Sequence, residues 1–111
     1  MPDDYDTVSF HAQQAVEKAL KAVLVQHQVP LVKSHNLAEL LELVETVEPG
    51  TREVLKTTGE LTPYAVEARY PTGFPRVGRD EAARHLALAD AALAHLRGRL
   101  APYLDTGRPG E

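Results

Sequence analysis

The stretch from Phe10 to Leu24 constrains the fold more than any other part of this chain. On a helix of 100° per residue, eight apolar residues in and just before it fall in one arc of about 160°, opposite Gln14, Lys18 and Lys21. These eight residues are Val8, Ala12, Ala15, Val16, Ala19, Leu20, Ala22 and Val23. Half of them are alanine, which lets a second helix approach closely. The pattern predicts a long amphipathic helix over residues 4–27 with this arc facing a core.

A mixed strip lies on one flank of that arc. It contains Phe10 and Leu24, with Gln13 and Glu17 between them. Apolar and polar side chains mixed in this way suggest a second contact surface, and a subunit interface is one interpretation. Simple exposure is the other, because isolated apolar residues on a surface are normal.

Two further helices are predicted after Pro30 ends the first. Ser34 is expected to be the N-cap of the second helix, which runs to Pro49-Gly50. Its apolar residues recur at steps of three and four: Leu37, Leu40, Leu41, Val44 and Val47. Thr51 is expected to cap a third helix, which Pro63 interrupts, either by a kink or by a restart that makes a short fifth helix.

The last helix is predicted to begin at Arg79 or Asp80, after a loop over residues 72–78 that is rich in glycine and proline. Its predicted core seam is Ala82, Leu86, Ala89, Leu93, Leu96 and Leu100. Four amphipathic helices with short connections favour an all-α, up-and-down four-helix bundle. We expect one domain over residues 1–104, followed by a flexible tail over 105–111 that frays from Pro102 onward.

Composition excludes several classes of protein. The 111 residues contain no cysteine, so disulfides, a thiolate nucleophile and a cysteine-based zinc site are ruled out. No apolar run is long enough to span a membrane, and the acidic start does not resemble a signal peptide, so we expect a cytoplasmic protein. A net charge of -4 argues against an extended electrostatic surface for binding nucleic acid. Any such contact must therefore be local.

Arginines are concentrated in one part of the chain. Arg69, Arg76, Arg79 and Arg84 fall within sixteen residues, where only Asp80 and Glu81 are acidic. An anion is therefore expected to bind here if it binds anywhere. Tyr64, Arg69 and Tyr70 can stack on and clamp a nucleotide, although a tyrosine pair that packs the interrupted helix is the alternative.

Histidines supply the acid and base candidates. None of the five is paired with a carboxylate in a metal-ligand pattern, so neither a metal nor another cofactor is predicted. His35, beside Ser34, is interpreted as a surface or capping residue. His85 follows Arg79 by six residues, and an arginine that binds phosphate beside a histidine that moves a proton can cleave RNA without metal. In one continuous helix the two side chains point about 120° apart, so they converge only if Arg79 precedes the helix or a second subunit contributes.

Three segments together resemble the HEPN domain, the higher eukaryote and prokaryote nucleotide-binding helical domain. They are residues 10–22, which read Phe-His-Ala-Gln-Gln-Ala-Val-Glu-Lys-Ala-Leu-Lys-Ala, Ser34-His-Asn-Leu37, and Ala68-Arg-Tyr-Pro71. The resemblance covers nearly the whole chain. It implies a four- or five-helix bundle that is commonly a dimer and is often encoded beside a minimal nucleotidyltransferase, in pairs that look like toxin and antitoxin. Relatives commonly have a longer first helix than the nine residues before Phe10 allow.

The resemblance also bears on activity. Active members of the family are metal-independent endoribonucleases with an Arg-x4-6-His motif at the dimer interface, and Arg79 to His85 satisfies that spacing. Members with the Ala-Arg-Tyr-Pro motif often lack the nuclease motif.

Three hypotheses follow. The first is a nucleotide- or RNA-binding module that uses Arg69, Tyr70, Arg76 and Arg84 and acts with a nucleotidyltransferase partner. The second is an endoribonuclease with Arg79 and His85 as catalytic residues. The third is a helical adaptor without a ligand.

Overall fold

Helices make up the fold. The computed structural model describes residues 5–30, 33–65 and 77–106, with side chains of the last segment described as far as Leu100. The elements in chain order are α1 (Tyr5–Gln26), α2 (Leu37–Val47), α3 (Thr51–Leu55), a 3-10 helix (Lys56–Tyr64) and α4 (Arg79–Thr106). These ranges contain no strand, and the prediction of an all-α bundle is confirmed. None of the described helices combines the length and the apolar character needed to cross a membrane.

The core forms around α1, which contacts α4 most extensively and also packs on α2 and the 3-10 helix. One cluster of buried apolar residues joins all of these elements. Its members are Ala12, Val16, Leu20, Val23, Leu24, Leu37, Leu40, Leu41, Val44, Leu55, Leu61, Ala89, Ala92 and Leu96. The buried leucines come mainly from α1 and α2, whereas two of the three cluster residues of α4 are alanine, which lets α1 and α4 lie close together.

The buried face of α1 is rotated from the predicted arc. Ala22 is exposed, whereas Gln13, Glu17 and Leu24 are buried. These three residues do form a second contact surface, but it is covered by other parts of the same chain, such as His35, so the interpretations of the strip as a subunit interface or as exposed surface are wrong for them. Phe10 is half-buried, with its ring centroid 5.3 Å from that of His11.

Two helix ends differ from the predicted ones. At the end of α1, Gln28 adopts a left-handed conformation with φ 60°, so that the Val29 N–H donates to the carbonyl oxygen of Leu24 at 2.9 Å. The N-cap of α2 is Asn36, whose Oδ1 accepts a hydrogen bond from the Glu39 N–H at 3.2 Å. The prediction of Ser34 as the cap is wrong, because the Ser34 hydroxyl accepts from the Asn36 N–H and so braces the true cap.

A glycine turn joins α2 to α3. Gly50, at φ 94°, is the residue before α3, and the conformation disfavours any residue with a Cβ atom. The prediction of Thr51 as the cap is wrong, since Thr51 is the first helical residue and is fully buried. The carboxylate of Glu45 caps α3 instead, accepting from the Gly50 and Arg52 N–H groups, and these bonds lower the pKa of Glu45.

The chain leaves α-helical geometry well before Pro63. After Leu55 it continues as the 3-10 helix, which includes Pro63. The Thr58 hydroxyl donates to the Leu55 carbonyl oxygen at 2.6 Å, which is the acceptor that the Gly59 N–H would use in an α-helix. The interruption was therefore predicted correctly, but it consists of a change of helix type rather than a kink or a restart at Pro63.

Helix α4 begins at Arg79, as predicted, but its core seam is shifted. Ala82, Ala89 and Leu96 are buried, whereas Leu86 is 46% exposed and His85 takes its place in the core. The helix also continues through Pro102 to Thr106, past the predicted domain end at residue 104. The remainder of the predicted tail lies outside the described residues.

An ionic network closes the far end of the bundle. Glu48, at the end of α2, accepts from the Arg99 guanidinium of α4 at 3.1 Å and lies 2.8 Å from Nε2 of His27. Arg99 also donates to the carbonyl oxygen of Pro49 at 3.3 Å. Because these bonds join the ends of α1 and α2 to α4, they fix the relative positions of the three helices.

We expect substitution of Leu96 by alanine to lower the free energy of unfolding by about 2–4 kcal/mol, because its side chain is 1% exposed and leaves a cavity. Val54→Ala is the control at an exposed apolar residue, and it should change stability by less than about 1 kcal/mol. Urea unfolding followed by circular dichroism measures both. Equal losses would show that Leu96 does not lie in the core.

Candidate functional site

His85 lies at the centre of a polar cluster between α1, the 3-10 helix and α4. Its side chain is almost fully buried, and a 2.6 Å hydrogen bond joins His85 Nδ1 to the hydroxyl oxygen of Ser9 on α1. Ser9 is 0% exposed. The pair has the composition of a nucleophile and its base, but a serine without exposed surface is not accessible to a substrate, so this bond ties α1 to α4.

Glu60 and Arg84 form the outer layer of this cluster. The Arg84 guanidinium donates to both carboxylate oxygens of Glu60, each at 2.8 Å, through Nε and Nη2. The same carboxylate lies 4.0 Å from Nε2 of His85. The two hydrogen bonds from Arg84 lower the pKa of Glu60 against a smaller opposing effect of burial.

Burial determines the protonation of His85. Loss of hydration lowers the pKa of His85, and the negative charges of Glu81 and Glu60 only partly offset that effect. The Tyr64 ring covers the imidazole at a centroid distance of 4.8 Å and a tilt of 48°. His85 is therefore a neutral imidazole at pH 7, one that can accept a proton or donate its single N–H.

Arg79 and His85 are not brought together within one chain. Both belong to α4, so their side chains point about 120° apart and their backbones are about 9 Å apart along the axis. Arg79 is exposed, whereas His85 faces α1. The condition that Arg79 precede the helix is therefore not met, and the catalytic pairing stays a prediction that requires a second subunit.

Three predicted ligand-binding residues, Arg69, Tyr70 and Arg76, lie outside the described residues. The chain on either side of them is described, and both flanks meet α1. The Val77 N–H donates to a carboxylate oxygen of the buried Asp6 at 2.8 Å, and the Ala65 carbonyl oxygen accepts from the Gln14 side chain at 3.5 Å. Asp6 and Gln14 are eight residues apart, about 12 Å along α1.

A second polar cluster lies deeper along α1. The nearly buried carboxylate of Glu17 accepts hydrogen bonds from Gln13 at 2.9 Å and from Lys21 at 3.0 Å, and both its oxygens lie 3.0 Å from Nδ1 of His35. Burial acts to raise the pKa of Glu17, but these three hydrogen bonds outweigh it and lower the pKa. Gln13 also donates to the backbone carbonyl of His35 at 3.2 Å. His35 therefore anchors the connection between α1 and α2, although its side chain is 64% exposed.

Sequence reasoning missed Ser9 and Glu60. Ser9 is a polar residue on the buried face of α1. The helical periodicity of α1 indicates which face is buried, but it does not indicate that Ser9 bonds to His85, 76 residues away. Glu60 is one of six glutamates in an acidic stretch, and nothing in its spacing indicates the contact with Arg84. In the residues that the structure describes, no three histidine or carboxylate side chains are grouped as metal ligands.

The fold and this polar cluster define a small helical-bundle protein with a buried histidine beside an arginine at the start of its last helix. The HEPN domain matches residues 2–98, and the chain belongs to this family. Neither the curated proteins nor the solved structures contain a match to the chain.

We expect the stability of the protein to fall as the pH drops below about 6.5, the usual pKa of an unfolded histidine. Since the folded pKa of His85 is lowered, the unfolded state binds the proton more readily and acid favours unfolding. In His85→Gln the slope of unfolding free energy against pH between 7 and 5 should become shallower. Urea titrations at each pH measure it, and Val25→Ala, which alters an exposed residue that carries no titratable group, should leave the slope unchanged.

Proposed function

We propose that this protein is a HEPN-family binding module for a nucleotide or RNA, with the ligand held at the start of α4. HEPN domains are typically related to nucleotides or RNA. The observation that carries the proposal is the anchoring of both flanks of residues 66–76, at Ala65 and Val77, on the first half of α1. Ala65 and Val77 therefore both lie at the end of the bundle where α4 begins.

Charge supports a local rather than an extended contact. Arg79 and Arg84 are both exposed in the first two turns of α4, where the helix dipole adds partial positive charge. Arg69 and Arg76 precede this helix in the sequence. Asp80 and Glu81 lie in the same turn and keep the net charge low, so the ligand is one with few phosphates or a single strand, rather than a long duplex.

A short single-stranded RNA labelled with fluorescein tests this proposal. We expect Arg79→Ala and Arg84→Ala each to weaken binding by about 3- to 10-fold at low salt, since each removes one contact to phosphate. Arg52→Ala is the matched control, because this exposed arginine lies in α3, which begins beside Arg99 at the other end of the bundle, about 30 Å along α4 from Arg79. Equal weakening in all three variants, measured by fluorescence anisotropy, would contradict a local site.

Self-association is the second part of the proposal, with a homodimer that also engages a minimal nucleotidyltransferase. An apolar groove between α1 and α4 supports it, lined by Ala19, Leu93, Leu96 and Leu100 with Arg97 at its edge. Leu86, which is 46% exposed, lies on the same side of α4, one helical heptad before Leu93. Because this groove continues into an exposed leucine, we expect a helix of a second subunit, rather than water, to cover it.

Size-exclusion chromatography followed by light scattering measures the mass of the assembly in solution. We expect twice the chain mass of 12.2 kDa for the protein and a shift toward monomer for Leu86→Glu. Val54→Glu alters an apolar residue on α3 that is 58% exposed, more than Leu86, and should leave the mass unchanged. A monomer at tens of micromolar would exclude the homodimer. Co-purification with a nucleotidyltransferase encoded beside this chain tests the other partner.

An endoribonuclease with Arg79 and His85 is the alternative function. The neutral state of His85 suits a general base, but its Nδ1 is bonded to Ser9 and Arg79 points about 120° away from it on the same helix, so one chain does not bring the two catalytic groups together. We therefore expect no cleavage when the protein is incubated with RNA in excess chelator, as followed on a denaturing gel. Chelator-resistant cleavage that disappears in both Arg79→Ala and His85→Ala would establish the enzyme instead.

A further inference from the structure

The carboxylate of Glu60 occupies a position that suits an external anion. It receives two parallel hydrogen bonds of 2.8 Å from one guanidinium edge of Arg84, and its Oε2 lies 4.0 Å from His85 Nε2. These contacts come from adjacent residues on α4, whereas Glu60 comes from the separate 3-10 helix. An arginine edge beside an imidazole nitrogen is therefore already assembled on α4, and Glu60 covers it.

Phosphate has the chemistry to replace that carboxylate. The planar guanidinium presents two N–H groups at the spacing of two oxygens on one centre, which matches phosphate as well as carboxylate. Beyond the two oxygens on Arg84, a terminal phosphate has a third non-bridging oxygen and a diester has its ester oxygens, and one of these can extend toward Nε2 of His85, where the carboxylate falls short of hydrogen-bonding distance. The neutral imidazole can donate an N–H there without a second positive charge.

The Glu60 side chain can leave without disrupting the core. Its side chain is 38% exposed and that of Arg84 is 59% exposed, so the pair is screened by water and adds little to stability. His85 keeps its hydrogen bond to Ser9, and Leu61, the buried residue next to Glu60, keeps the 3-10 helix on the core. Rotation of one side chain is therefore enough to open the site.

We propose that Arg84 and Nε2 of His85 form a phosphate-binding site that Glu60 occupies in the free protein and that the phosphate of the ligand displaces. The proposal rests on the proposed binding function and adds its regulation, because Glu60 competes with every ligand at this site. Weak or unrelated anions do not displace it, whereas a ligand with further contacts does. The phosphate belongs either to a mononucleotide, as a terminal group, or to RNA, as a diester.

Three probes and three variants test the competition. The probes are inorganic phosphate, adenosine 5'-monophosphate, and a ten-nucleotide single-stranded RNA without a terminal phosphate, with binding measured by calorimetry and anisotropy. Glu60→Gln keeps the shape of the side chain but removes its charge and one acceptor. Glu81→Gln removes one charge near His85 without touching the contact to Arg84, and the double variant Glu60→Gln with Arg84→Gln removes both the competitor and the site.

We expect Glu60→Gln to tighten binding of at least one probe by about tenfold, since it replaces a charged competitor by a neutral one. Glu81→Gln should change affinity by less than about twofold, and the double variant should lose the gain. A gain with the monophosphate and inorganic phosphate identifies a terminal phosphate, whereas a gain with the RNA alone identifies a diester. Far-UV circular dichroism and thermal melting confirm that each variant is folded.

Other outcomes overturn the proposal. Equal gains in Glu60→Gln and Glu81→Gln would show a general charge effect without competition. An unchanged or weaker affinity in Glu60→Gln, with binding in the wild type that still depends on Arg84, would assign Glu60 to positioning Arg84 and leave the proposed function intact. Absence of binding in every protein with every probe would overturn both this inference and the proposed function.

Discussion

The packing of α1 against α4 is the interaction on which the rest of the structure depends. Ala12 on α1 and Ala89 and Ala92 on α4 are all buried, and small side chains at these positions let the two longest helices approach closely. The same interface carries the Ser9–His85 hydrogen bond near one end. At the other end, Arg99 of α4 reaches Glu48, which also meets His27 just after α1. The apolar contact sets the distance between the helices, and the polar contacts set their register.

How far the sequence predicts this fold depends on the kind of residue that faces the core. Both ends of α1 and α2 and the start of α4 were placed to within one or two residues, because apolar periodicity follows directly from burial. The faces of α1 and α4 were rotated because Gln13, Glu17 and His85 are buried polar residues whose hydrogen-bond partners come from distant parts of the chain. A single sequence gives no access to such partners.

Helix caps and the candidate site show the same limit. Ser34 and Asn36 are both competent caps two residues apart, and the choice of Asn36 depends on tertiary contacts, such as the Leu37 N–H donating to the Thr62 hydroxyl at 3.0 Å. Arg84 and His85 were identifiable as candidates because arginine and histidine are chemically distinctive at a helix start. Glu60 was not, since a bond that spans 24 residues has no local signature.

The 3-10 helix has a consequence for access to His85. Its hydrogen bonds have poorer geometry than those of an α-helix, and a run of nine residues is long for this type, so the segment belongs to the least stable part of the bundle. A local opening of this segment would carry Glu60 and Tyr64 away from α4 together and expose the ring face of His85, which rotation of Glu60 alone does not uncover. Full exposure of the imidazole therefore depends on the stability of this segment, and amide exchange at residues 56–64 reports on that stability independently of global unfolding.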